Sequence, residues 1–263
     1  GLPDGVFNVV NGAKTIVEAL CDHQDIKAVA FVGSSSVAKI VYNRCSQNSK
    51  RSLCLGGAKN HMIVVPDADT DSTAKGLLAS SMGSAGQRCM AASVAVGVAN
   101  IDHIIDQLVE EARNFKLGVD MGTIISKTAL DRITGYIDEA EKMGAKILVD
   151  GRNNSPPDDY KQGYWLGATI LDGIDPDWPS AKEEIFGPVL SIIRADTIEE
   201  AMKIENNNPY GNAAAVFTTS GQIAKVVSEK ASAGMVGINI GVPVPRDPYS
   251  FGGWNESKYG HGD

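Results

Sequence analysis

This sequence predicts an α/β protein, on three observations. Short apolar, β-rich runs alternate with amphipathic helical stretches along most of the chain. The strand-like runs are apolar throughout rather than alternating, as in a parallel sheet covered on both faces. Glycine, asparagine or proline marks nearly every change from one pattern to the other. With 263 residues, 43% hydrophobic and 21% charged, the chain can fill one large domain or two ordinary ones.

In order, residues 5–10 are apolar and closed by Asn11-Gly12, which predicts a buried strand, and residues 14–21 predict the helix behind it. Residues 28–32 predict a second strand, Gly33-Ser34-Ser35-Ser36 a turn and N-cap, and residues 37–45 the next helix. Leu53-Cys54-Leu55-Gly56-Gly57-Ala58-Lys59-Asn60 is rich in small residues and predicts a tight turn into a strand over 61–65, stopped by Pro66. Residues 67–83 have an acidic start and an alanine- and leucine-rich body, so a helix is expected there, followed by a strand over 94–98.

Helices are expected over 101–117 and 126–143, each ended by a glycine, with a strand over 146–149. The polar, proline-bearing stretch 152–159 predicts a surface loop. Strands are expected over 164–171 and 189–194 around the turn Glu183-Glu184-Ile185-Phe186-Gly187-Pro188. Thr197 and Glu200 have the spacing of a capping box for a helix to Ile204, which Asn206-Asn207-Asn208-Pro209-Tyr210-Gly211 breaks. A strand over 213–218, a helix over 220–231 and a strand over 236–240 complete the pattern.

Several function classes are disfavoured. A net charge of −8 without a lysine or arginine block argues against nucleic acid or an anionic membrane as partner. A small molecule is the expected ligand. Four cysteines without a C-x-x-C pair suit a reducing compartment, and four scattered histidines give no metal signature. No apolar run reaches the ~18 residues of a membrane span and no signal-peptide pattern opens the chain. Because the chain starts at Gly1 rather than Met, it is expected to be a processed or truncated piece.

The candidate nucleophile is Cys89, inside Gly83-Ser84-Ala85-Gly86-Gln87-Arg88-Cys89-Met90-Ala91. A thiolate is a strong nucleophile, its pKa falls beside a cation, and Arg88 is its neighbour. Small neighbours let backbone N–H groups approach a developing oxyanion. On spacing alone, a buried hydrophobic cysteine is an equal reading. The Gly33-Ser34-Ser35-Ser36 turn offers the free N–H groups of a helix start to a pyrophosphate, or is ordinary helix punctuation.

Taken together, these motifs resemble the aldehyde dehydrogenase superfamily. Phe31-Val32-Gly33-Ser34 looks like its cofactor-side turn, Gly86-Gln87-Arg88-Cys89 its nucleophile loop, and Glu183-Glu184-Ile185-Phe186-Gly187-Pro188 its ribose-binding signature. Asn206 to Gly211, Val216-Phe217-Thr218 and Phe251-Gly252-Gly253 follow in family order. More narrowly, Gly1-Leu2-Pro3-Asp4-Gly5, Gly57-Ala58-Lys59-Asn60-His61, Arg88-Cys89-Met90-Ala91 and Val242-Pro243-Val244-Pro245 resemble the methylmalonate-semialdehyde dehydrogenase branch.

The resemblance implies NAD-dependent oxidation of methylmalonate or malonate semialdehyde through a Cys89 thioester, with coenzyme A as co-substrate and propanoyl-CoA or acetyl-CoA as product. It implies the second part of a Rossmann-like NAD-binding domain over residues 1–58, an α/β catalytic domain over 59–250 with Cys89 facing the cleft between them, and a return segment over 251–263. Gly33, Ser34, Glu184 and Phe186 would bind the cofactor, Arg88 and Asn239 the substrate, and no metal is implied. The full-length parent would be a homo-oligomer, mitochondrial in a eukaryote and cytoplasmic in a bacterium.

Two departures from the pattern matter. Hydrolytic relatives keep a glutamate about thirty-four positions before the cysteine to activate water. Leu55 stands there in this chain, or Cys54 if the Leu-Gly-Gly letters are matched. Lacking that base, a thioester should resist water and wait for coenzyme A. The chain is also expected to lack the first half of the cofactor domain, with its oxyanion-hole asparagine and adenosine-ribose lysine, and a final oligomerisation segment. Two rivals follow: a hydrolytic aldehyde dehydrogenase with another base, and a non-catalytic fragment.

Overall fold

The computed structural model describes residues 1–260, in two compact units: residues 1–57 with the end of the chain from Glu256, and residues 58–255. The expected return segment over 251–263 is described to residue 260. Residues 261–263, His261 among them, lie outside the described residues.

In the first unit α1 (Lys14–Asp22), β1 (Ala28–Val32), α2 (Ser35–Gln47) and β2 (Arg51–Leu55) follow one another, and β12 (Lys258–Tyr259) joins from the end of the chain. β1 and β2 run parallel with Ala28 opposite Arg51, while β12 is antiparallel to β2. Cys21, Ala38, Val41, Cys45 and Cys54 form its core, with Val29 and Phe31 packed against them.

Three expectations fail here. Residues 5–10 are not a strand: Val6, Phe7, Val9 and Val10 are exposed, and no neighbouring strand among the described residues takes up their backbone N–H and C=O groups. The stretch expected to be all turn contains β2, whose polar start at Arg51-Ser52 hides its strand character. β1 is not covered on both faces, since Ala28, Ala30 and Val32 are exposed while Val29 and Phe31 turn inward.

The second unit runs β3 (Asn60–Val64), α3 (Thr70–Met82), β4 (Ala92–Val98), α4 (Asp102–Arg113), α5 (Lys127–Lys142), β5 (Lys146–Val149), β6 (Thr169–Asp172), α6 (Pro179–Lys182), β7 (Val189–Ala195), α7 (Ile198–Asn206), β8 (Tyr210–Gly211), β9 (Ala213–Phe217), α8 (Gly221–Lys230), β10 (Met235–Ile238) and β11 (Trp254–Asn255). Its main sheet has the order β10-β9-β3-β4-β7-β6-β5, with every neighbouring pair parallel except β5 and β6. β3 and β9 are buried at every residue, as strands covered on both faces must be. β8 and β11 form a separate small antiparallel ladder.

Helix starts follow the capping chemistry. Asp69, Ser126, Thr197 and Ser220 accept backbone N–H bonds from Ser72, Ala129, Glu200 and Ile223. The Thr197 box is shifted by one position, because Glu200 accepts from the Asp196 N–H. The strand expected over 164–171 shrinks to β6, since Gly167 donates to Gly151 rather than to a strand neighbour. Among the described residues, no helix is long and apolar enough to cross a membrane.

Candidate active site

The candidate residues of the second unit gather where the parallel strands begin. Asn60 opens β3, Cys89 precedes β4, Glu184 to Pro188 precede β7, and Asn212 precedes β9. Ligands of open α/β sheets usually lie at the carboxyl ends of the strands, so in this unit the candidate nucleophile sits at the opposite edge. The connections entering β4, β7 and β9 supply it.

The loop carrying Cys89 is wound tightly. Ser84 and Ala85 have φ of 55° and 53°, and Gly86 follows at 65°. Left-handed backbone is uncommon for non-glycine residues and is held only by its surroundings. Gly86 is the one of the three that cannot carry a side chain, because a Cβ would collide with the Gly187 carbonyl. Gln87 locks the loop laterally, its Nε2 donating to Thr123 O at 3.0 Å and its Oε1 accepting the Ile125 N–H at 2.9 Å. The Cys89 carbonyl accepts from Asn60 Nδ2 at 2.9 Å and from Asn212 Nδ2 at 3.1 Å.

Cys89 is half-buried, whereas Cys21, Cys45 and Cys54 are buried. Burial pushes its thiol above the ordinary cysteine value, and the Glu184 charge acts the same way. The backbone N–H groups of Cys89 and Met90 oppose the rise, with Arg88 a smaller help. The Arg88 contribution has the expected sign but is too small to depress the thiol, whose net shift is upward. The physical reason is direction: Arg88 Nη2 donates to the carbonyls of Ala79 and Ser80 at the end of α3, at 3.1 and 3.2 Å. Its Nε and Nη1 donate to no protein atom among the described residues.

Glu184 is fixed through one oxygen, Oε1 accepting the Ala58 N–H at 3.0 Å. Burial raises its carboxyl above the usual range, and the Ala58 N–H, Lys59 and Arg132 work against that rise. Oε2 takes no hydrogen bond among the described residues, a fit for a vicinal diol such as a ribose. Phe186 stands beside it at φ 54°, 38% exposed.

Gly33 and Ser34 lie in the first unit. Gly33 donates its N–H to Leu55 O at 3.1 Å, and Ser34 is the N-cap of α2, its hydroxyl paired with Ser36 at 3.2 Å rather than with the helix backbone. Leu55 ends β2 half-buried, and burial drives the Cys54 thiol up to about 11. Neither is a carboxylate.

Asn239 is not brought to Cys89. It follows β10, about 13 Å further along the strand direction than the Asn60 and Ala92 pairing, at four residues of ~3.3 Å. Both ends of its side-chain amide are engaged with the Thr218 backbone, each at 2.8 Å. Asn60, Asn212 and Lys59 are the site residues that the sequence did not reveal. Asn60 and Lys59 stood within a quoted motif, so their place was visible and their task was not. Among the described residues, no group of three or more His, Cys, Asp or Glu gathers to hold a metal.

Comparison with known proteins adds four findings. The aldehyde dehydrogenase family matches over residues 1–263. A malonate-semialdehyde dehydrogenase of Pseudomonas aeruginosa is 41% identical over 99% of this chain and 54% of its own length. A rat mitochondrial methylmalonate-semialdehyde/malonate-semialdehyde dehydrogenase, acylating, is 42% identical over 99% of the chain and 50% of its own. A Sinorhizobium meliloti structure of the methylmalonate-semialdehyde dehydrogenase type, solved with NAD, superposes with a TM-score of 0.96 at 44% identity, covering 99% of this chain and 55% of that one. The chain thus spans about half the length of the relatives it matches.

Proposed function

Because this chain belongs to the aldehyde dehydrogenase family, we propose that it carries the nucleophile of an NAD-dependent, coenzyme-A-acylating oxidation of malonate or methylmalonate semialdehyde. The observation that carries the reading is Cys89 itself. It is the half-buried thiol among four cysteines, pinned through its carbonyl by two asparagines, with the Glu184 carboxylate close enough to act on it. The relatives named above supply the substrate class.

In this reading the Cys89 sulfur attacks the aldehyde carbon, and the N–H groups of Cys89 and Met90 face the charge that develops there. Bound NAD supplies the hydride acceptor. Loss of hydride leaves an acyl thioester on Cys89, the substrate carboxylate departs as carbon dioxide while the α-carbon it leaves takes up a proton from solvent, and the coenzyme A thiol takes the acyl group and returns its proton to Cys89. Glu184 holds the nicotinamide ribose through its free oxygen, with Phe186 packing beside it. Gly33 and Ser34 serve the phosphate side from the first unit, on the free N–H groups at the start of α2. Arg88 offers its unused Nε and Nη1 to the substrate carboxylate. Leu55 supplies no base for water, which favours transfer to a thiol over hydrolysis.

Replacing Cys89 by Ala in the protein should abolish aldehyde-dependent NADH formation and leave NAD binding nearly intact. Turnover above a few per cent of the parent rate would remove Cys89 from the reaction. Arg88→Leu should lower kcat/KM for the semialdehyde roughly 10²-fold, as expected for ~2–3 kcal/mol of charge-assisted bonding, and spare propanal. Equal losses on both aldehydes would leave Arg88 with its α3 carbonyls alone.

A further inference from the structure

The turn Glu183-Glu184-Ile185-Phe186-Gly187-Pro188 carries two adjacent carboxylates with different surroundings. Glu184 Oε1 accepts the Ala58 N–H at 3.0 Å, and its other oxygen is unused among the described residues. Glu183 turns to α5, where its Oε2 accepts the Tyr136 hydroxyl at 2.5 Å. Glu183 has φ of −95° and ψ of 149°, extended backbone in which successive side chains point to opposite sides. Holding one carboxylate on α5 therefore sends the next one the other way.

α5 touches the turn at two further points. Arg132 Nη1 donates to the Glu184 carbonyl at 3.3 Å, and a Cβ on Gly187 would meet the Ile133 side chain at 2.7 Å. Arg132 and Tyr136 stand four residues apart and so share one face of the helix. The Gly187 end of the turn is set by backbone packing, against Ile133 on one side and Gly86 on the other. The Glu183 end is held by its N–H on the Pro179 carbonyl at 2.8 Å, and its carboxylate by Tyr136 alone among the described residues. Burial, and then the Glu183 bond itself, push the Tyr136 hydroxyl up to about 12, so it stays a donor at neutral pH.

We propose that Tyr136 is a positioning residue for the cofactor: it engages Glu183 on α5 and so leaves Glu184, of the two neighbouring carboxylates, to meet the diol of the nicotinamide ribose. This rests on the reading of Glu184 as the ribose ligand, and it adds a residue outside the turn that touches neither cofactor nor substrate.

Without the hydroxyl, the Glu183 carboxylate has no partner on α5, and the peptide between the two glutamates gains freedom to rotate. Rotation there carries Glu184 Oε2 off the direction that the Ala58 N–H fixes through the other oxygen. Binding of the diol must then restore that direction. The cost of restoring it falls on cofactor affinity rather than on the chemical step.

The test is NAD affinity by titration calorimetry, with kcat at saturating NAD and semialdehyde as the second readout. Tyr136→Phe should weaken NAD binding about fivefold, the equivalent of one hydrogen bond, and leave kcat nearly unchanged. Glu183→Ala should do the same. Glu183→Gln, whose amide oxygen still accepts from Tyr136, should bind NAD as the parent does. In the Glu183→Ala background Tyr136→Phe should have little further effect. Parental NAD affinity in Tyr136→Phe, a loss of the same size in the Glu183→Ala background, or a fall in kcat as large as the fall in affinity overturns the proposal. If Tyr136→Phe does not fold, Glu183→Ala against Glu183→Gln decides, and equal affinities overturn it. Glu184→Ala separates the proposal from the reading beneath it. Unaltered NAD binding there ends the ribose role itself, whereas a loss in Glu184→Ala with none in Tyr136→Phe keeps the ribose role and removes Tyr136.

Discussion

Asn60→Ala is the substitution whose cost can be worked most directly from the structure. Asn60 is 1% exposed and makes three hydrogen bonds, to Cys89 O, Ala91 O and the Ala213 N–H. Alanine removes all three. Cys89 O keeps Asn212, so it is not orphaned. The Ala91 carbonyl and the Ala213 N–H lose the partners named here, and a buried group stripped of its partner costs about 1–3 kcal/mol. The expected loss of unfolding free energy is therefore about 4 kcal/mol. Asn212→Ala is the control. It removes one shared bond to Cys89 O and a sulfur contact to Met90, and should cost about 1 kcal/mol. Urea titration followed by tryptophan fluorescence reads the right region, because Trp165, Trp178 and Trp254 all lie in the second unit. Asn60→Ala within about 1 kcal/mol of the parent, or equal costs for both asparagines, would refute the claim that Asn60 is the main pin of the nucleophile loop.

Burial raises Glu205 in α7 to about 7, and its Oε2 accepts the Ser232 N–H at 3.1 Å. Its folded value lies above its unfolded one, so stability from the protonated form is complete below about pH 4.5 and lost as pH rises through about 7, at most about 3 kcal/mol. Glu205→Gln, which keeps the acceptor, should melt above the parent at pH 8 and level with it at pH 4.5; an equal difference at both would contradict the burial argument. Gly86→Ala should cost more than about 3 kcal/mol, since it meets both φ of 65° and the Gly187 carbonyl. Gly122→Ala, with open space at its Cβ, should stay within about 0.5 kcal/mol in the same titration.

Local chemistry made much of the fold legible. The cap at Thr197, the helix starts at Ser126 and Ser220 and the apolar runs of β3, β4, β7 and β9 are properties of neighbouring residues, and they read directly from the chain. Residues 5–10 misled for the same reason, because an apolar run states a preference and a strand needs a partner. The site divides similarly. Cys89 and the 183–188 turn were visible as compact motifs, and Gly86 as a glycine beside them. The tasks of Asn60 and Asn212 depend on contacts between residues far apart in sequence, such as Asn60 with Ala213 and Ala58 with Glu184, which no spacing encodes. Arg88 shows the limit of adjacency, since its guanidinium turns back to α3 rather than toward the thiol beside it. Asn239 stood in an apolar strand motif, and only the register showed that it lies past the other end of that strand.

The central claim is an acyl group carried on Cys89 and handed to a thiol rather than to water. The direct measurement is intact-protein and peptide mass spectrometry after mixing the protein with NAD and malonate semialdehyde, then following the adduct with and without coenzyme A. An acyl adduct on the Cys89 peptide that persists in buffer and discharges rapidly on addition of coenzyme A is the predicted result. An adduct on another residue, or one that buffer removes as fast as coenzyme A does, would contradict it.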